Sequence, residues 1–215
     1  MRAVVGGNEI ELEPNSKPYL LKRIVADGFD TVLIAGLFLL FTALVMRTSL
    51  ADTYRTHFDR SQTIKTETAK ALGNDREAVS EALGGNAEYR DEVFAANLHS
   101  YLLKALAAFA AEMPVLLVFP LLNRDRATPG KKMTGILLFN GTRRTRAVWY
   151  QIVGRFLFVF LIDSLALYLF TGILTFFLVP ALRLTEMLTN RKNRTICDLL
   201  TGTTAIEKLS YQGIN

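Results

Sequence analysis

Apolar residues along this chain are gathered into long runs rather than spread in alternation. Runs fall at residues 24–45 and 101–122, and a third stretch, RFLFVFLIDSLALYLFTGILTFFLVPALRLTEML, fills 155–188. About twenty such residues cross a hydrocarbon core about 30 Å thick. As one straight helix the last stretch would measure about 50 Å. A break is therefore expected at Gly172, in FTGIL, because glycine weakens a helix interior. Spans at about 155–170 and 173–188 follow, with one over-long tilted helix as the alternative. The pattern predicts an all-α membrane protein of about four transmembrane helices, preceded by residues 1–18 and followed by a tail at 207–215.

Between the first two runs, residues 47–100 are polar. Leu50, Tyr54, Phe58, Ile64 and Leu72 make a loose helical stripe. Asn74 and Glu77 resemble a capping box, and Gly84 with Gly85 ends the short helix that box would start. Asn86 is placed to cap a further helix running through Tyr89, Val93 and Leu98 into the second span. The expectation is a helical hairpin between the first two spans, either a spacer or a docking surface. The segment TPGKKMTGILLFNGTRRT reads differently. It predicts a turn at Pro129 and Gly130, a β-prone run at 136–139 and a turn at Asn140 and Gly141. A small hairpin at the membrane surface follows, with the N-terminal EIELEP as a candidate partner.

Charge sets the orientation. Between spans two and three lie Arg124, Arg126, Lys131, Lys132, Arg143, Arg144 and Arg146 against Asp125 alone. Lys17, Lys22 and Arg23 flank the first span, and Arg191, Lys192 and Arg194 follow the last. Residues 47–100 carry seven basic and nine acidic side chains. The positive-inside bias places both termini and 123–154 in the cytoplasm and 47–100 outside, which requires an even number of spans. The net charge of +5 then reads as a basic rim facing anionic lipid headgroups rather than a nucleic-acid surface. The mean hydropathy of +0.23 averages over this segregation.

The N-terminal MRAVVGGNEIELEPNS lacks the apolar core of a cleavable signal peptide, so the first run is expected to remain in the mature protein. Cys197 is the sole cysteine, which excludes an intrachain disulfide, and His57 and His99 lie far apart in sequence. HExxH, CxxC, GxSxG and GxxxxGK[ST] patterns are absent. No cofactor, metal site or catalytic residue is predicted.

The candidate chemistry is charge at membrane depth, where ionisable groups are rare and face partners, cavities or water. At about 1.5 Å per residue, Asp27 lies about 6 Å and Asp30 about 10 Å beyond Arg23. Glu112 lies about 15 Å from the inner face, Asp163 about 12 Å above Arg155, and Arg183 about 8 Å in. Asp30, Glu112 and Asp163 thus come from three helices at comparable depth and form a candidate cation-binding layer. Pro114 removes the amide that would bond the Ala110 carbonyl and tends to kink the helix beside Glu112. Arg23, Asp27 and Asp30 share one helix face, with Asp27 in reach of Arg23. Arg155 and Arg183 are candidate ion-pair partners for Asp30. The competing reading is a set of buried ion pairs that fix helix register.

Several motifs carry a family resemblance. RIVADGFD (Arg23, Ala26, Asp30) resembles the R-x-x-A-x-x-x-D opening of the RDD family of bacterial membrane proteins. TPGKKMTGI (Thr128, Pro129, Gly130, Lys131, Gly135) resembles that family's second motif, and Arg155 its arginine opening the next span. RTICDLLTGTTAI (Asp198, Gly202, Thr203) resembles the closing motif. The likeness covers about residues 19–206. Three departures stand out: the long segment 47–100, Cys197 where His is common, and the additional acid Asp27. The resemblance implies a multi-pass domain in the bacterial cytoplasmic membrane. Some members are suggested to exchange ions and others to accompany membrane complexes. It also implies that Arg23, Asp30 and Asp198 meet near the cytoplasmic side, with the arginine bridging two carboxylates as a structural clasp. The carboxylate layer favours cation or proton-coupled transport through an oligomer. The alternative is a non-catalytic accessory or regulatory subunit bound to other membrane proteins.

Overall fold

The computed structural model describes residues 2–5, 8–11, 17–140, 145–166, 175–189 and 194–207. The chain is mostly helical, and among the described residues three helices are long and apolar enough to cross a membrane: Leu20–Val45, Ala87–Leu122 and Trp149–Ala166. Chain contacts divide it into two compact units. One comprises Met1–Phe38 with Ala108–Asn215, and the other Leu39–Ala107.

The first unit receives the start of helix α1 (Lys17–Val45), which begins two turns before the apolar run. The second span does not run as one α-helix. Helix α4 (Ala87–Glu112) gives way to a π-helical segment, Met113–Val118, before α5 (Phe119–Leu122). The Phe119 amide reaches back five residues to the Pro114 carbonyl, so the wider turn accommodates the proline ring and its missing donor. A short helix α6 (Pro129–Met133) follows. The third span is α7 (Trp149–Phe158) with a π-helical continuation, Val159–Ala166. It starts at Trp149, six residues before the apolar run. The break expected at Gly172 lies outside the described residues. Helices α8 (Thr175–Thr189) and α9 (Ile196–Leu200) follow among the described residues of this unit.

Sheet structure departs from an all-α reading. Strands β1 (Arg2–Val5) and β2 (Asn8–Glu11) pair antiparallel with each other. Residues 9–11 of the EIELEP segment therefore pair with the strand just before them. Strand β3 (Ile136–Asn140) is central in a second sheet, between β4 (Thr145–Arg146) and β5 (Thr203–Glu207). All five β3 residues are buried, as a strand flanked on both edges and covered by helices requires. Its partner β5 runs antiparallel, with Ile136 opposite Glu207 and Asn140 opposite Thr203. Gly135 and Gly202 precede β3 and β5 at φ +73° and +64°, a backbone region where a side chain is strained. Ala26 of α1 packs on Ile136 and Ala205, fixing the first helix to the sheet.

The second unit is a set of polar helices. Helix α2 (Ser49–Ala71) lies beside the first half of α4, joined by an Arg60–Glu88 ion pair and a His57–Glu92 hydrogen bond, each 2.7 Å. The rings of His57 and His99 stack at 5.4 Å, although the two residues are distant in sequence. Helix α3 (Arg76–Gly85) begins one residue later than the capping-box reading places it. The N-cap is Asp75, whose carboxylate accepts the Glu77 and Ala78 amides, while Asn74 takes the left-handed turn at φ 62°. The helix ends at the Gly84, Gly85 pair, and the Asn86 side chain accepts the Tyr89 amide at 3.0 Å.

Candidate functional site

Three helix-borne residues of the first motif, Arg23, Ala26 and Asp30, point to one side of α1, and all three are buried. Their spacing of three and seven residues puts them on adjacent turns of the same face. Arg23 is 2% exposed and donates from Nη2 to Asp198 Oδ2, across 175 residues of sequence. Arg155 Nη1 donates to the other oxygen, Asp198 Oδ1, and to Thr203 Oγ1 at 2.6 Å. Asp198 itself is fully buried.

Local chemistry explains how Asp198 is aimed. It is the third residue of α9, and its Oδ2 accepts the Thr195 amide at 3.1 Å while the Thr195 hydroxyl accepts the Asp198 amide at 3.2 Å. This reciprocal capping box fixes the carboxylate rotamer before any distant partner arrives. Burial alone would raise the Asp198 pKa. The Arg23 and Arg155 charges outweigh it and hold the carboxyl well below the usual carboxylate range. The clasp is thus inverted relative to the sequence reading: one carboxylate bridges two arginines. A single buried acid with two oxygens suits two guanidinium forks arriving from different helices.

Asp30 is held elsewhere. Its Oδ2 accepts the Thr128 hydroxyl and its Oδ1 the Gly130 amide at 2.7 Å. The partners are therefore Thr128 and Gly130 rather than Arg155 or Arg183. The Thr128, Pro129, Gly130, Lys131 segment is the start of α6 rather than an isolated turn. Pro129 needs no amide partner at the first helical position, and Asp30 supplies the cap from another helix. Gly130 is required by space. A Cβ there would fall on the Ala26 carbonyl oxygen and 3.0 Å from Asp30 Oδ1. Asp27, a turn earlier, accepts Lys131 Nζ at 2.6 Å.

Gln151 ties the same knot from below. Its Oε1 accepts the Val148 amide at 3.1 Å, and its Nε2 donates to the Thr201 and Gly202 carbonyls at 2.9 and 3.3 Å. Sequence reasoning passed over Gln151, a lone amide in a run of mixed polarity. Cys197 lies beside the knot with its thiol 3.9 Å from the Arg155 carbonyl.

Two of the depth-matched acids, Asp30 and Glu112, have separate partners. Asp30 is engaged with α6, whereas Glu112 accepts the Ser164 hydroxyl from the π-helical part of the third span. The Asp163 side chain lies outside the described residues. Among the described residues no group of three or more His, Cys, Asp or Glu is placed to hold a metal ion. Phe156 stacks on Phe160 at 5.9 Å, and both meet the edge of Phe109, so these aromatics pack the helices together. Arg183 lines a cavity with Arg23, Asp27, Lys131, Arg155 and Glu186.

Long apolar helices, pinned at one end by a buried ion-pair knot and a three-stranded sheet, define an integral membrane protein. Residues 17–202 match the RDD family, and the chain belongs to that family. Comparison with curated proteins and with solved structures returns no match.

Proposed function

We propose that this protein is a non-catalytic accessory subunit of a protein assembly in the bacterial cytoplasmic membrane. One observation carries the reading: the motif carboxylates Asp30 and Asp198, and the additional acid Asp27, are engaged in holding segments together. Asp198 joins α1 to α7, Asp30 joins α1 to α6, and Asp27 takes Lys131. An ion pathway needs carboxylate oxygens turned toward a passage, whereas these oxygens face arginine, lysine, threonine and a backbone amide. The reading includes four crossings, with α8 as the fourth, and both termini in the cytoplasm, supported by the basic residues at 123–154. It assigns contact with other subunits or further copies of the chain to residues 47–100 and to the basic face, and no role in nucleic-acid binding.

The test is purification in mild detergent followed by native mass spectrometry. A stoichiometric partner is expected, and it should be released when residues 47–100 are replaced by a short linker. A protein that runs alone and unchanged in both forms overturns the reading.

Cation or proton-coupled transport is a second reading, favoured by the Glu112 and Ser164 contact. That contact joins two spans where each has, or borders, a π-helical segment, a feature that recurs at functional sites. Proteoliposomes with flux above empty controls, abolished by Glu112→Gln, would support it.

A further inference from the structure

A cavity of about 270 Å³ lies in the first unit among α1, α6, the third span, α8 and α9. Its polar side is basic. Arg23, Lys131, Arg155 and Arg183 line it against two acids, Asp27 and Glu186. Both acids are engaged: Asp27 with Lys131 at 2.6 Å, and Glu186 with the Ile196 amide at 3.1 Å. Arg23 and Arg155 also donate to Asp198, which is not part of the lining, so the four cations outnumber Asp27, Glu186 and Asp198 by one. Low-dielectric walls strengthen such a field.

Much of the remaining lining is apolar, including Phe158, Val159, Ile162, Val179 and Leu182. Ile162, Leu182 and Ile196 are 47%, 48% and 49% exposed, so apolar side chains stand at the opening. Ile162 lies in a helix apolar enough to cross the membrane, and the opening therefore faces lipid. A guanidinium fork matches two phosphate oxygens, and an ammonium adds a point charge. The volume is too small for a folded partner and too apolar on one side for a free inorganic anion.

From this juxtaposition of a basic floor and an apolar mouth, we propose that the cavity holds the phosphate-bearing headgroup of an anionic phospholipid. Its acyl chains leave between Ile162 and Leu182. The site goes beyond the accessory role proposed above, since it needs no protein partner.

The experiment uses the full chain purified in mild detergent, stripped of lipid and offered dioleoyl phosphatidylglycerol, dioleoyl phosphatidylcholine or inorganic phosphate. Native mass spectrometry and thermal melting are the readouts. One phosphatidylglycerol retained per chain is expected, with about tenfold preference over phosphatidylcholine, the effect of one charge-assisted contact. Arg183→Gln should remove that preference, and Leu182→Trp, which narrows the mouth, should weaken retention of phosphatidylglycerol. Equal retention of the two lipids overturns the proposal. So does inorganic phosphate raising the melting temperature as much as phosphatidylglycerol at the same concentration. If Arg183→Gln fails to fold, Leu182→Trp decides: reduced retention supports the site and unchanged retention overturns it.

Discussion

Asp30 caps a helix to which it does not belong. Its carboxylate accepts the amide of Gly130, 100 residues along the chain, at 2.7 Å. The short α6 helix has no capping hydrogen bond from its own N-cap side chain, Thr128, whose hydroxyl is turned onto the same carboxylate. The first membrane helix therefore organises the loop after the second, and four contrasts test how firmly.

Gly130→Ala and Gly28→Ala should have opposite signs. The new Cβ at 130 meets the Ala26 backbone, and overpacking of this kind costs about 1–3 kcal/mol. At 28 nothing lies within 4 Å, so the better helix former should stabilise by about 0.5–1 kcal/mol. Thermal melts of the two variants in one detergent check the pair.

Asp198→Asn keeps the shape of the side chain and removes its charge. Arg23 and Arg155 then lose the carboxylate they share, and breaking a buried pair costs about 3–5 kcal/mol. Cys197, buried and the only cysteine, provides the readout. A thiol-reactive dye should label it at a markedly lower temperature in the variant. Unchanged labelling would contradict the knot.

The same carboxylate makes a pH prediction. Its pKa in the folded chain lies well below the ordinary 3.8. The unfolded chain therefore binds the proton first as pH falls. The stabilisation is fully present above the ordinary value and is lost progressively below it, at up to about 1.4 kcal/mol per pH unit. Melting temperatures should hold this component down to about pH 4 and lose it between about pH 4 and pH 2 in the wild type, and Asp198→Asn should lack it.

Lys131 and Asp27 should couple. A double-mutant cycle with Lys131→Met and Asp27→Asn is expected to give an interaction of about 1–3 kcal/mol, since the pair is largely shielded from water. The more exposed Arg60 and Glu88 pair is the control, and Arg60→Ala should leave the melt unchanged.

Legibility in the sequence followed the range of the interactions. Arg23, Ala26 and Asp30 were readable as one face because helical spacing is local. Pro114 announced the irregular turn after Glu112, since a missing amide is visible in the residue type. The irregular stretch Val159–Ala166 contains neither proline nor glycine, so nothing announced it. Which acid met which base was not readable. Asp30 faces a backbone amide, and a carboxylate in a string of letters does not distinguish an amide from a guanidinium. The antiparallel register of β3 with β5 joins segments more than sixty residues apart, where turn chemistry gives no guide. It also explains why β3 is buried along its whole length rather than alternating.

The order of the knot along the chain has a consequence for synthesis. Arg23 and Arg155 leave the ribosome well before Asp198, and β3 before β5. Until residues 195–207 emerge, both arginines lack the carboxylate they share and β3 lacks the partner along one edge. A chain stopped short of that segment would present two cations near the bilayer and a bare strand edge. The last stretch of the family motif thus supplies, at the end of synthesis, the partner that both arginines and the open edge of β3 require.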